Sequence, residues 1–167
     1  EAAVERLAKA VQEEELIAIF GDYDVDGATS SALFRRFLNG VGAKSTIYIP
    51  DRLEEGYGPN AEAMDTLKAQ GVSCVVTVDC GTTSFEPLAH AKEIGLDVVV
   101  VDHHEAEVKL PDAVSVINPK RMDEDGRFAH LAAVGVTFMF AVGINRALRE
   151  AEWFKDGRKE PDLRQLL

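Results

Sequence analysis

Three acidic clusters in this chain each follow a short apolar run: Asp22-Tyr23-Asp24-Val25-Asp26-Gly27 after Leu16 to Phe20, Asp79 after Cys74 to Val78, and Asp102-His103-His104 after Asp97 to Val101. Carboxylates and imidazoles gathered at one place repel one another or lose hydration unless a cation holds them. An oxygen-rich set with one or two histidines suits manganese, magnesium or zinc. An Asp-x-Asp pair alone is no more than a turn signal, but Asp24 and Asp26 stand just past a strand, where both carboxylates can point into one space. Gly27 then lets the backbone swing into the following helix. Thr83 or Ser84 is better placed than Asp79 to cap the next helix, which leaves Asp79 free to act as a ligand. Neighbouring residues in extended chain point opposite ways. Of His103 and His104, one ring is therefore expected to reach a given metal while the other faces a second metal or the substrate. A single hydrolytic centre accounts for all three clusters.

The elements that must position these residues follow from patterning. Val98 to Val101 reads as a strand buried on both faces, hence a parallel sheet covered by helices, and ligands of such sheets collect beyond the carboxyl ends of the strands. Strands are expected at Leu16 to Phe20, Thr46 to Ile49, Val72 to Val78, Val98 to Val101 and Val114 to Ile117. Helices are expected at Ala2 to Glu15, Thr29 to Leu38, from the Asn60 cap to about Gln70, at Phe85 to Ile94 and at His130 to Arg149. The fold class is α/β, a doubly wound, five-stranded parallel sheet in flavodoxin-like order 2-1-3-4-5. That order makes strands one, three and four neighbours. The helix after the first acidic cluster should begin near Ala28 to Ser31, with free amides that suit a phosphate. Asp51 to Pro59 lacks periodicity and reads as a loop, Pro119 to Phe128 as a polar connection, and the residues from Glu150 as a charged tail.

Composition bounds the function. With 167 residues and 46% hydrophobic content, one domain with a real core is expected. A net charge of −11 argues against a surface that grips nucleic acid unaided, so any such substrate must be met by a local patch or by a further domain. Cys74 and Cys80 lie outside the spacings of zinc knuckles and redox pairs and suit a reducing cytoplasm. No basic-then-apolar leader opens the chain. Its longest apolar stretch, Leu131 to Ile144, is shorter than the ~18 to 20 residues of a membrane span, so a soluble cytoplasmic chain is expected.

The segments Asp22 to Ser30, Val76-Thr77-Val78-Asp79-Cys80-Gly81, Val100-Val101-Asp102-His103-His104-Glu105 and Ala132-Ala133-Val134-Gly135-Val136 resemble, in order and spacing, consecutive motifs of the DHH phosphoesterase superfamily. More narrowly, Asp51-Arg52-Leu53-Glu54-Glu55-Gly56-Tyr57-Gly58 resembles a loop of its RecJ family of single-stranded-DNA-specific exonucleases. The resemblance implies a hydrolase using one or two manganese or magnesium ions. It would remove nucleotides from a 5′ end of single-stranded DNA in recombination and repair, alongside other repair proteins. Carried over, it makes Asp24 a ligand of one metal, Asp26 and His103 ligands of a second and Asp79 the bridge, while His104 faces the scissile phosphate. Asp22 and Asp102 would orient the imidazoles and backbone around them. Arg52 and Tyr57 become candidates for phosphate contact and base stacking.

Two departures accompany the resemblance. Many superfamily members carry a histidine four residues before the first ligand Asp; here Phe20 stands there and cannot bind metal, which leaves occupancy of the first metal position open. The family also continues into a fourth motif with another ligand Asp and into a DHH-associated domain. Neither Asp156 nor Asp162 follows an apolar strand, so residues 1 to 167 are expected to be a partial catalytic domain. Two other roles remain: a DHH-type binding component without catalysis, and a phosphatase of oligonucleotides or nucleotides. A dinucleotide-binding dehydrogenase would need a Gly-x-Gly-x-x-Gly turn after strand one, which is absent.

Overall fold

The computed structural model describes residues 1 to 167. Its sheet holds five parallel strands in the order β2-β1-β3-β4-β5, with β1 at Leu16–Gly21, β2 at Lys44–Tyr48, β3 at Val72–Val78, β4 at Asp97–Val101 and β5 at Ser115–Ile117. β1, β3 and β4 fill the centre because their Val- and Ile-rich runs are apolar on both faces. The edge strand β2 is only half-buried along its length.

Five helices cover the two faces: α1 (Ala2–Gln12), α2 (Val25–Gly40), α3 (Ala61–Ala69), α4 (Phe85–Glu93) and α5 (Ala133–Glu150). On one face α1, α2 and α5 enclose a core in which Phe34 stacks on Phe140 with ring centroids 5.7 Å apart. On the other, Met64 and Leu67 of α3 and Leu88 of α4 pack on Phe20, Val75 and Val100. Truncating a fully buried Phe such as Phe34 would cost ~3 to 5 kcal/mol.

The structure corrects two local expectations. α2 starts at Val25 rather than near Thr29, because Asp24 adopts an extended conformation and its Oδ1 accepts from the Gly27 amide at 2.9 Å. Asp26 thus sits in the helix's first turn, and the free amides lie four residues earlier than expected. The residues beyond Glu150 do not trail away. Trp153 Nε1 donates to the Val41 carbonyl at 3.0 Å, Arg36 donates to the Gln165 carbonyl at 2.8 Å, and Glu160 accepts from Asn145 at 2.7 Å. A short 3-10 turn at Leu163–Leu166 packs against this first core. No helix is long and apolar enough to cross a membrane.

Candidate metal centre

Each acidic cluster leaves the carboxyl end of a central strand, and the strand order brings them together. At the end of β3 the Asp79 amide donates to the Val101 carbonyl at 3.0 Å, which extends the ladder by one residue. Asp79 then takes a left-handed backbone with φ of 64°, a region Asp tolerates better than most side chains. The turn behind it closes where Thr77 Oγ1 donates to the Cys80 carbonyl at 2.9 Å. A Cβ on Gly81 would lie only 2.7 Å from that hydroxyl. At the end of β1, a Cβ on Gly27 would meet the Asp22 carbonyl oxygen at 2.5 Å, so only glycine lets the first turn of α2 pack against the acidic segment.

His103 Nε2 lies 3.2 Å from Asp79 Oδ1 and 3.8 Å from Asp26 Oδ2, which brings the Asp26 and Asp79 carboxylates within about 7 Å of each other. Asp22, Asp24 and Asp79 form one group whose carboxylate oxygens lie within 4.8 Å of one another, and Asp79, His103 and His104 form a second. Asp79 belongs to both. Asp22, expected only to orient its neighbours, stands as close to Asp79 as a ligand would. The two imidazoles do not diverge either: past β4 the chain is no longer extended, and the rings meet edge-on with centroids 4.8 Å apart.

Both oxygens of Asp79 are buried and accept no hydrogen bond. A buried carboxylate without donors is costly. Burial, followed by the neighbouring Asp24, pushes its pKa up to about 7. A divalent cation would supply the missing partner, so the donor set fits a hard metal ion. Burial also raises Asp22, whereas the Gly27 amide holds Asp24 below the usual carboxylate range.

Asp102 is buried too, yet the outcome differs. Burial pushes its pKa up, but hydrogen bonds from Thr82 and His104 prevail and hold it low. Its Oδ1 accepts from the His103 amide at 2.7 Å, the His104 amide at 3.2 Å and His104 Nδ1 at 2.7 Å. For His104, burial lowers the pKa and the Asp102 carboxylate more than restores it. Asp102 is thereby hydrogen-bonded to both residues of the histidine pair.

The loop from Asp51 to Pro59 reaches over the centre. Glu55 anchors it by accepting from Tyr48 Oη at 2.6 Å and from the Asp51 amide at 2.8 Å. Arg52 lies over the Tyr23 ring at 5.0 Å, and Tyr57 Oη donates to the Asp79 carbonyl at 3.2 Å while the rest of its ring stays exposed. A cleft of about 690 Å³ opens beside His104, with Tyr57, Pro59, Thr83, Ser84 and Phe85 among its walls. Ser84 holds the N-cap position of α4 but makes no side-chain cap. Phe20 is fully buried and stacks on Tyr48 at 5.4 Å, part of the core rather than the centre. Tyr23, Thr82 and Asn118 were not singled out by the sequence reading. Asn118 alone had a usable signal, since it follows strand five as the acidic clusters follow theirs.

The DHH family, N-terminal domain, matches residues 16–162. The chain is 42% identical over 139 residues to the single-stranded-DNA-specific exonuclease RecJ of Bacillus subtilis (strain 168), covering 83% of this chain and 18% of the relative. It is 41% identical over 167 residues to the RecJ of Salmonella typhimurium LT2, covering 99% and 29% respectively. The chain thus spans less than a third of the length of these curated relatives. A crystal structure of exonuclease RecJ bound to manganese superposes with a TM-score of 0.79 at 31% identity, over 95% of this chain and 38% of the other. Motif order, strand order and sequence agree, and the chain belongs to the DHH family through its N-terminal domain.

Proposed function

We propose that residues 1 to 167 are part of the catalytic domain of a metal-dependent phosphodiesterase. In this reading a larger protein, completed by a fourth-motif Asp and a DHH-associated domain, degrades single-stranded DNA from its 5′ end during recombination and repair. The observation that carries the reading is the pair of orphaned Asp79 oxygens between two further aspartates and a histidine, in a chain similar to RecJ exonucleases. Manganese or magnesium, as one or two ions, would be held by Asp24, Asp26, Asp79 and His103, with Asp22 close enough to join. Such a cation neutralises charge on the phosphate and acidifies a water molecule.

The chain's own residues have distinct tasks. Asp79 joins the two groups of donors. His104, tied to Asp102 through Nδ1, directs its other ring nitrogen at the phosphate. Arg52 contacts phosphate, and Tyr57 offers an exposed face to a base. The excess of carboxylates and the net charge of −11 oppose nucleic acid, so the strand is held mainly by residues outside this chain. A cytoplasmic setting agrees with two free, buried cysteines, and other repair proteins are expected partners.

The test is a manganese titration followed by an assay on 5′-phosphorylated single strands. This chain should show at most trace turnover and a longer chain carrying the second domain robust turnover, because positioning supplies ~7 to 11 kcal/mol of such barriers. Turnover equal in both would overturn the partial-domain reading, and no metal-dependent turnover in either would overturn the activity.

A further inference from the structure

Behind the histidine pair lies a buried polar chain that metal binding does not require. Asn118, at the end of β5, is 2% exposed. Its Nδ2 donates to Thr82 Oγ1 at 3.0 Å and to the His104 carbonyl at 2.8 Å, and its Oδ1 accepts from the Lys120 amide at 2.9 Å. The side chain of Asn118 thereby uses both donors and one acceptor site and cannot rotate without losing three bonds. Thr82 is also 2% exposed. Its amide donates to Asp102 Oδ2 at 3.1 Å, and its side chain is among the groups that hold the Asp102 carboxyl low.

These contacts have a direction. Asn118 Nδ2 can only donate, so Thr82 Oγ1 accepts from it and must send its own proton elsewhere. The acceptor at hand is Asp102. Held at Oδ2 by the Thr82 amide, Asp102 presents its other oxygen, Oδ1, to the histidine loop, where it accepts from His104 Nδ1 at 2.7 Å. A carboxylate accepting at Nδ1 fixes the proton there and leaves Nε2 without one in the neutral ring. The order Asn118, Thr82, Asp102, His104 joins the ends of three strands, and polarised chains of this kind strengthen one another's bonds.

We infer that Thr82 and Asn118 are positioning residues that act through Asp102 to set the tautomer and ring orientation of His104. Neither side chain hydrogen-bonds to Asp24, Asp26, Asp79 or His103, and Asn118 reaches His104 only at its backbone carbonyl. What His104 then does to a phosphate rests on the function proposed above, but the relay itself does not.

The experiment is proton and nitrogen NMR of this chain labelled at histidine, metal-free, above neutral pH. The parent should show a downfield, slowly exchanging Nδ1 proton for His104 and an unprotonated Nε2. Thr82→Val keeps the shape and removes the hydroxyl; it should speed exchange of that proton at least about tenfold or erase the signal. Asn118→Leu should do the same, Thr82→Ser should restore the parent's signal, and the melting temperature of Thr82→Val should stay within a few degrees of the parent. An unchanged signal in Thr82→Val, or a Thr82→Ser variant that behaves like it, would overturn the relay. If Asn118→Leu fails to fold, the Thr82 pair decides alone. Absence of nuclease activity in a longer chain would refute the proposed function and leave this NMR result standing.

Discussion

Nε2 of His103 lies 3.2 Å from Oδ1 of Asp79, joining the end of β4 to the end of β3 across the central pair of the sheet. Neither oxygen of Asp79 accepts a hydrogen bond, so the imidazole is a neighbour that could carry positive charge beside a carboxylate crowded by Asp22 and Asp24. The site is built at the expense of stability, as buried functional groups commonly are.

Replacement of the carboxylate by an amide should expose that cost. In chelator at about pH 8, Asp79→Asn is expected to gain ~1 to 2 kcal/mol, because it removes a buried charge and Asn tolerates the left-handed backbone. The same variant should show no stabilisation by manganese. Thermal melts with and without metal check both, and a destabilised metal-free variant would contradict the account.

The pH dependence follows from the raised pKa of about 7 at Asp79. Because the folded value lies above the unfolded one, this group's contribution to stability is full below ~4 and is lost as pH rises through about 7. A cation must displace that proton at low pH. Manganese affinity should therefore rise by up to about tenfold per unit as pH approaches 7 and level off above it. Calorimetry at several pH values measures the slope; an affinity independent of pH between about 5 and 7 would show that Asp79 is not a ligand.

At the opposite end of the sheet, Arg6 bridges Glu15 at 2.6 Å and Asp97 at 2.5 Å, and Ser73 donates to Glu15 as well. Burial pushes the Glu15 carboxyl up, but the bonds from Arg6 and Ser73 hold it below its usual range. The stability this confers is present above the unfolded pKa and lost as pH falls through the folded one. Glu15→Gln is expected to cost ~1 to 2 kcal/mol at pH 7, less than a fully buried pair because both side chains keep some solvent contact. The difference from the parent should shrink in an acid denaturation series and vanish only once the pH has fallen below the lowered folded pKa of Glu15.

On the proposed function, Arg52 and Tyr57 should separate two kinds of contact with a single strand. Arg52→Ala in the longer protein should weaken binding of all sequences alike and reduce the salt slope by about one charge. Tyr57→Ala should cost ~1 to 3 kcal/mol with the salt slope intact, and Tyr57→Phe far less. Fluorescence anisotropy over a salt series distinguishes them.

Much of this was legible from spacing. The apolar runs before Asp22, Asp79 and Asp102 fixed the strands, and the alternation of strands with helices implied the order that gathers those residues. The start of α2 was not, because an Asp used as an N-cap looks in sequence like an Asp in a turn. Nor was the convergence of His103 and His104, which depends on the chain leaving extended geometry after Val101. The packing of Trp153 and Glu160 was hidden by the charge of the tail around them. Thr82 carries no charge and no periodic signal, and the place of Asn118 after β5 marks a position without naming its partners, which only the distances reveal.

The central claim is that Asp24, Asp26, Asp79 and His103 form a metal centre. Titration calorimetry of manganese into this chain and into Asp79→Ala tests it most directly. Saturable binding by the parent, abolished in Asp79→Ala and only weakened in Asp102→Ala, is the predicted result. Manganese affinity unchanged by Asp79→Ala would contradict it.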